Sequence, residues 1–561
     1  MTRYYSQGKQ IQLGKIDFKA QGGEGSIYVK GSTAYKIYSD PRRTIPEAKI
    51  HELSRLTEPN IIRPLHLLFD KQNRPVGYSM RHVGKAHALC QLFPKAFRQR
   101  NNLTPEKILS LVRRLQAGVS HIHAHQILLV DLNELNFLVA HDFSELYFID
   151  VDSYQTQMFP ATVLMESVRD HHSKSFTEDT DWFSFAVVSF QMFVGIHPYK
   201  GTYAQLPQQA DKSHKLAARM QANISVLHHG VTVPGSTLPF SVIPSIYLDW
   251  YRAVFEDGKR MPPPEHMRGV LHLSPASTLS AVKSKALVVS EYRDFDSEII
   301  WYDAAMTITE KSVYFDGRSF DKPPFDVKLA ISPKQRHLIA AYMDHTAVRF
   351  HDLSTDKEIP TEINGEEVMS SNGKFYVKQA ENILEVNLIE LPNSLILGLH
   401  PIANVMMQAT QLFEGVAIQN LLGTKYASVL RGACYQIRLP ELDKYQIMSA
   451  RIQHTVLVIV AIHSGRYDKF VYRFADDFAS YDVRTIADIG STDINFTVLD
   501  TGVVLHVIDD GKLEIFSSLR NSARVRVLED PFLEGDVRLF HLGKQALVAS
   551  GRKLFKVSLS I

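Results

Sequence analysis

The sequence predicts a multidomain chain: an α+β half of about 270 residues, then an all-β half with the period of a six- or seven-bladed β-propeller. Three observations predict it. Up to residue 262, long stretches place their apolar residues at helical spacing. Beyond it, short alternating segments separated by turns recur about every 40 residues. Within the first half, glycines, a lysine and carboxylates of the kinds that handle phosphate and magnesium stand in turns bounded by apolar strands.

Composition fits a globular protein. The 561 residues are 45% hydrophobic and 22% charged, and the formal net charge is +2. That balance argues against nucleic acid or a membrane surface as a main partner. Two distant cysteines, Cys90 and Cys434, give no disulfide framework and suit a reducing cytosol. The opening MTRYYSQGKQIQLGK is polar, and the longest apolar runs, from Thr455 and Phe183, fall far short of the ~20 residues that cross a bilayer. A soluble cytoplasmic protein is expected.

Taken in chain order, Ala20–Tyr38 should form a strand, a glycine turn, a strand, a short hairpin and a further strand. Gly22 and Gly25 suit a backbone that comes close to phosphates. Lys36, two residues after Ala34, would present a point charge to them. PEAKIHELSRL at 46–56 is helical. Thr104, Pro105 and Glu106 open a helix with a capping side chain and proline at its first position, and Ile108, Leu111, Leu115, Val119 and Ile122 share one face. The segment from Thr180 is apolar nearly all round, as a helix buried in the middle of a lobe would be.

The strongest signal is ILLVDLNELNFLV at 127–139 followed by LYFIDVDSYQ at 146–155. Phosphoryl transfer to a hydroxyl needs a carboxylate beside the nucleophile and oxygen ligands for magnesium. Asp131, Asn136 and Asp150 are residues of the kinds that supply both. Carboxylates between apolar strands are costly without a metal or donors.

These pieces resemble a protein kinase. Gly22, Gly25 and Ile27 match the glycine-rich loop, with Ala20 in place of its first glycine. Ala34 and Lys36 match A-x-K, Asp131 and Asn136 match D-x-x-x-x-N, and Asp150 matches the aspartate of D-F-G. The phrases GGEGSIY, AYKIY, RPVGYSM, VDLNELNFLV, FIDVDSYQ and GIHPYKG resemble a bacterial group of atypical kinases, those that accompany von Willebrand-type and phosphatase proteins in tellurite-resistance-like triads. The resemblance covers about residues 18–265. It implies a bilobed kinase-like domain with lobes at 1–84 and 85–270, and serine/threonine phosphorylation of a protein partner using ATP and magnesium. It also raises phosphatase and von Willebrand-type proteins as associates.

The resemblance further implies individual roles. Asp131, Lys36 and Asn136 would be catalytic, and Asn136, Asp150 and Asp152 would bind metal. Gly22, Gly25, Ile27, Ala34, Lys36, Glu47, Met80 and Val83 would hold the nucleotide, with Met80 beside the adenine and the backbone near Val83 bonding the base. Counting along the 46–56 helix puts Lys49 where a glutamate should hold Lys36; Glu47 and Glu52 stand nearby, and Glu47 is favoured because it shares a face with Ile50. His123 precedes the loop, Asp181 should hold the loop backbone, and Arg260 should pair with Glu166. Departures leave alternatives open: Leu129 and Val130 replace His-Arg, Asn133 replaces a lysine, and Asp152 replaces a glycine. Asp152 could be an extra ligand or could cap the next turn. A pseudokinase scaffold and a small-molecule kinase are the competing readings.

PPP at 262–264 marks the end of the first half, with a linker at 271–282. Residues 283–561 are expected to be a propeller that docks a substrate or partner, with a pair of β-sandwiches as the alternative. FHDLSTDKE at 350–358 looks like the end of a WD-type blade, with His351 in the tryptophan place. No metal-ligand cluster is visible beyond residue 280, and His454 and His463 look like ordinary histidines.

Overall fold

The computed structural model describes residues 2–161, 164–204, 215–264, 286–323, 326–392, 394–509, 511–520 and 524–559. The expected linker at 271–282 lies outside them. The chain is mostly β.

Seven strands open it: β1 Thr2–Ser6, β2 Lys9–Leu13, β3 Phe18–Gln21, β4 Gly25–Lys30, β5 Thr33–Tyr38, β6 His66–Phe69 and β7 Pro75–Arg81. They form one antiparallel sheet in the order β2-β1-β6-β7-β5-β4-β3. Strand β5 lies between β4 and β7, with Ile27 opposite Lys36, Lys36 opposite Tyr78, and Ala34 opposite Met80. Directly opposed and alternate residues share a face, so Ile27, Ala34, Lys36, Tyr38, Tyr78 and Met80 stand on one side of the sheet. Two glycines let the neighbours close on β5. A Cβ on Gly25 would sit 2.2 Å from the Ile37 carbonyl oxygen, and one on Gly77 would sit 2.0 Å from the Lys36 carbonyl oxygen.

The short helix α1, Glu47–Leu53, crosses this face, where Ile50 packs with Tyr38 and Tyr78. A three-stranded sheet follows, built from β8 Ala86–Ala88, β9 Phe137–Ala140 and β10 Leu146–Phe148 in the order β10-β9-β8. Helices α2 Lys95–Arg100, α3 Pro105–Ala124, α4 Glu178–Val194, α5 Lys215–Gln221 and α6 Ser245–Phe255 complete this part. Thr104 caps α3 through the Lys107 N–H, and Ile108, Leu111, Leu115, Val119 and Ile122 are all buried, as the spacing required. Every residue of α4 from Thr180 to Val194 is buried, so the apolar pattern from Thr180 marks the central helix of this core.

From residue 286 the chain forms seven four-stranded antiparallel sheets. Sheets I to VI span 299–321, 328–359, 367–404, 410–438, 446–486 and 496–528; sheet VII joins Leu287–Asp294 to three strands within 537–559. Leu287–Asp294 pairs antiparallel with the last strand, Lys553–Leu559. Each sheet shares a buried core with the next: Met306 and Phe315 with Leu338, Phe350 with Phe375, Tyr376 with Ala417, Val429 with Leu457, Val458 with Phe496, and Leu513 with Leu539. Sheet VII shares one with sheet I through Phe540 and Tyr302. In the predicted WD-type turn, Asp352 accepts from His337 Nδ1 at 2.7 Å and from Thr355 Oγ1 at 2.7 Å.

The two parts are in contact. Lys95 of α2 pairs with Glu298 at 2.8 Å and with Asp536, the N–H groups of Lys95 and Ala96 donate to Asp493, and Arg100 pairs with Glu414. These partners belong to sheets I, VII, VI and IV or to the chain leading into them. One hydrophobic core contains Leu132, Trp182 and Phe190 of the first part together with Met448, Val460, Ile462, Tyr467 and Ile489 of the second.

Gly77→Ala should force β7 away from β5. The expected cost is about 1–3 kcal/mol of stability, as for other overpacked sites, whereas Gly23→Ala, with nothing within 4 Å of its added carbon, should be near neutral. Denaturant titration of the two variants checks this.

Candidate active site

Lys36 is buried at 5% exposure. Its Nζ donates to Asp150 Oδ1 at 2.7 Å, Asp152 Oδ2 at 2.7 Å and Glu24 Oε2 at 3.1 Å. Burial works against its charge, but Tyr78, Asp152 and Asp150 outweigh it and hold the pKa well above the ordinary lysine value. Asp152 is saturated. Its Oδ1 accepts from Tyr78 Oη at 2.6 Å and its Oδ2 from Tyr38 Oη at 2.6 Å as well as from Lys36. Against burial, Lys36 and the two phenols keep the Asp152 pKa below the usual carboxylate range. Asp150 goes the other way, raised by burial and then by the Asp152 charge beside it.

Glu47 does not hold Lys36. It is exposed in the first turn of α1. The α1 side chain that reaches this site is Lys49, buried at 3%, whose Nζ donates to the Asp152 carbonyl at 2.7 Å. A cation in that slot cannot pair with Lys36, so the counter-charge comes from Asp152, the residue in the glycine place of D-F-G, and from Glu24 in the glycine turn. Asp152 is therefore the partner of Lys36, with both oxygens already engaged.

Asp131 and Asn136 lie in the turn leading into β9, and Asp150 follows β10. Strands β9 and β10 pair with Phe137 opposite Phe148, and the Ile149 N–H donates to the Asn136 carbonyl at 3.0 Å. The two polar turns thus sit side by side at the open end of one hairpin. Asn136 Nδ2 donates to the Asp131 carbonyl at 2.9 Å and lies 3.4 Å from Asp131 Oδ2. Asp181 on α4 holds the loop as expected, accepting from the Leu129 and Val130 N–H groups at 2.8 Å each and lying 2.9 Å from His123 Nε2. The grip matters because Val130 has φ +63°, a conformation that costs a β-branched residue about 1–3 kcal/mol. Asp131 is itself 9% exposed, and burial raises its pKa. Its Oδ1 accepts from the Met165 N–H at 2.7 Å.

Among the other nucleotide candidates, Gly22 and Gly25 close the turn through a Gly22 N–H to Gly25 carbonyl bond at 2.9 Å. Ile27, Ala34 and Met80 share the Lys36 face of the sheet, and Val83 is half-buried just past β7. Arg260 pairs with Asp170, at 2.6 and 2.7 Å, not with Glu166, which pairs with Arg169 at 3.0 Å.

In the second part, the expectation of no metal-ligand cluster is corrected: His454, Asp500 and His541 bring ligand atoms within 4.8 Å of one another. They come from three separate sheets, so no spacing motif announced them. The side-chain oxygen Oε1 of Gln453 accepts from the Val498 N–H, which turns its Nε2 toward His541 Nδ1 at 3.1 Å.

Comparison with known proteins finds distant relatives. The chain is 24% identical over 270 residues to protein kinase YegI of Escherichia coli K12, covering 43% of this chain and 41% of that protein. Over 197 residues it is 24% identical to mitogen-activated protein kinase kinase kinase 13 of human and mouse, covering 34% of this chain and 20% of theirs. The chain thus spans less than half the length of these curated relatives. No family model matches it. The relatives are protein kinases, and a region of this chain is kinase-like.

Asp152→Ala leaves Lys36 and two phenols facing a hole, and should cost about 3–5 kcal/mol, as the loss of one partner of a buried pair does. The depressed folded pKa of Asp152 fixes the sign of the pH effect. Its contribution is fully present above the unfolded value of about 3.9 and is lost as pH falls through the folded value. The gap between variant and parent should therefore narrow below about pH 4, as measured by denaturation at a series of pH values.

Proposed function

We propose that residues 1–270 form a bilobed kinase fold that transfers a phosphoryl group from ATP, with magnesium, to serine or threonine of a protein partner in the cytosol. The observation that carries this reading is the joint placement of Lys36 on Asp150 and of the Asp131–Asn136 loop beside Asp150 at the end of one hairpin. The donor set fits the cofactor. Carboxylate oxygens of Glu24, Asp150 and Asp152 lie within 4.8 Å of one another, a hard, oxygen-rich environment of the kind magnesium prefers; with both Asp152 oxygens engaged by Lys36, Tyr38 and Tyr78, Glu24 and Asp150 are the carboxylates left to offer. Bound magnesium–ATP would supply the phosphoryl group and neutralise its developing charge. Asn136 and Asp150 would hold the metal, Lys36 would keep a fixed positive charge at the phosphates, and the Gly22–Gly25 turn would let backbone come close to them. Asp131 would orient the acceptor hydroxyl and take its proton; burial, which raises its pKa, makes it a better base than a free aspartate.

For the second part we propose a closed seven-bladed propeller spanning 283–561. Seven cores joining seven sheets in cyclic order support this, as does the joining of the first and last strands in sheet VII. The reach of one short helix, α2, to four of the sheets supports it too. No helix among the described residues is long and apolar enough to cross a membrane. Docking of a substrate, or of phosphatase and von Willebrand-type associates, would use blade surfaces other than the one that holds α2.

A second reading, a nucleotide-binding scaffold without transfer, is favoured by one observation: an Asp131 oxygen is occupied by the Met165 N–H. Incubation with labelled ATP and magnesium decides between the two. The active reading expects label on protein serine or threonine, reduced at least about 100-fold in Asp131→Ala and Asp150→Ala, as followed by mass spectrometry. Label that persists in Asp131→Ala, or that appears only on small metabolites, would defeat it.

A further inference from the structure

The turn His463–Arg466, between strands Val456–His463 and Arg466–Phe474 of sheet V, and Tyr467 just after it contact two neighbours of Asp131. One is the segment 164–168. Gly465 has φ +73°, and a Cβ there would lie 2.5 Å from Ser167 Oγ and 2.9 Å from Met165 Cγ and Sδ, so this backbone packs on the segment more closely than any side chain would allow. The segment in turn places the Met165 N–H on Asp131 Oδ1 at 2.7 Å. His197 Nε2 fixes the Ser167 carbonyl from below at 2.8 Å.

The other lies in the Asp131 loop itself. Two residues after Gly465, Tyr467 Oη hydrogen-bonds to Glu134, which stands between Asp131 and Asn136 and is 2% exposed. Around this contact, Glu134 Oε2, Gln191 Oε1 and Ser167 Oγ are buried without a hydrogen-bond partner among the described residues. Glu134 and Gln191 line a cavity of about 10 Å³ together with Gly465 and Tyr467, room for about one water. Val460 and Ile462 before the turn and Tyr467 after it share the first half's core, so the turn is held in place by packing as well as by hydrogen bonds.

We propose that this turn is a built-in cover, which holds residues 164–168 over Asp131 so that an acceptor hydroxyl reaches the carboxylate only when the second half lifts. The inference rests on the kinase reading of the site. Among the described residues, Lys36 itself is bonded by Glu24, Asp150 and Asp152 and not by this turn, so the cover acts on the Asp131 side of the site.

The test uses the full chain and two readouts. Gly465→Ala places its new carbon against Met165 and Ser167 and should wedge the turn away; Tyr467→Phe removes only the hydroxyl that holds Glu134 and serves if the first variant does not fold. Amide hydrogen exchange of residues 164–168 should speed up in either variant, and labelled phosphate transfer to protein should rise about tenfold. Unchanged exchange in both variants overturns the cover. So does transfer that is measurable in the parent and fails to rise while exchange does. If exchange speeds up and transfer stays absent in every protein, the turn does hold the segment and it is the kinase reading that fails.

Discussion

A buried lysine is stable in its charged form only if carboxylates surround it, and the first half is arranged around Lys36. Its strand must lie between two others closely enough that Gly25 and Gly77 are glycines. Its counter-ion must be fixed, and Asp152 is fixed by two tyrosines on the same face, Tyr38 and Tyr78. Because Asp152 follows Asp150 in one tight turn, pairing Lys36 with Asp152 also determines where Asp150 stands, and through the Ile149 N–H it sets where Asn136 stands. A buried pair of this kind adds little net stability over an apolar replacement. Its consequence is positional: one charge network ties β5, the turn after β10 and the glycine turn into a single geometry.

That network also explains the departure at α1. With Asp152 neutralising Lys36, a helix glutamate is redundant, and a fourth carboxylate beside Glu24, Asp150 and Asp152 would raise the cost further. Lys49 instead donates to the Asp152 carbonyl. Burial lowers its pKa, with Asp152 the first charge opposing that. The position of α1 therefore depends on the turn it contacts, and the site would be assembled without a movable glutamate.

Much of this was legible in the sequence, for identifiable reasons. Asp131, Asn136 and Asp150 stood out because each interrupts an apolar strand, and their spacing is local to one hairpin. Asp181 was singled out by the resemblance alone, and the structure gives it the backbone-holding role that the resemblance implied. Glu24 was not found because a carboxylate in a glycine turn looks like a solvated charge. Tyr38 and Tyr78 looked like ordinary strand aromatics. Their roles come from antiparallel register across β5 and β7, forty residues apart, and only the alternation of buried positions hinted at it. Glu47 was chosen by helical phase with Ile50, but the cation at Lys49 outranks phase once Asp152 supplies the negative charge. In the second half the 40-residue rhythm gave the four-stranded units, because turns and alternation are local. Neither the partner of each sheet nor the grouping of His454, Asp500 and His541 is local, so neither could be counted from spacing.

The least local feature is the union of the halves. Tyr467 lies more than 300 residues from Glu134, yet among the described residues its hydroxyl is the partner that the buried carboxylate finds across the interface. Burial pushes the Glu134 pKa up, and the Tyr467 hydrogen bond opposes that shift. The interface thus combines a shared apolar core, in which Ile462 and Tyr467 pack with Leu132 and Trp182, with ion pairs at its rim such as Arg100–Glu414. The core makes association favourable, while the rim pairs, part-exposed and screened, fix orientation more than strength. The two halves are then bound as partners in a complex are, and the loop that carries Asp131 takes its shape from α4 on one side and from the β-domain on the other.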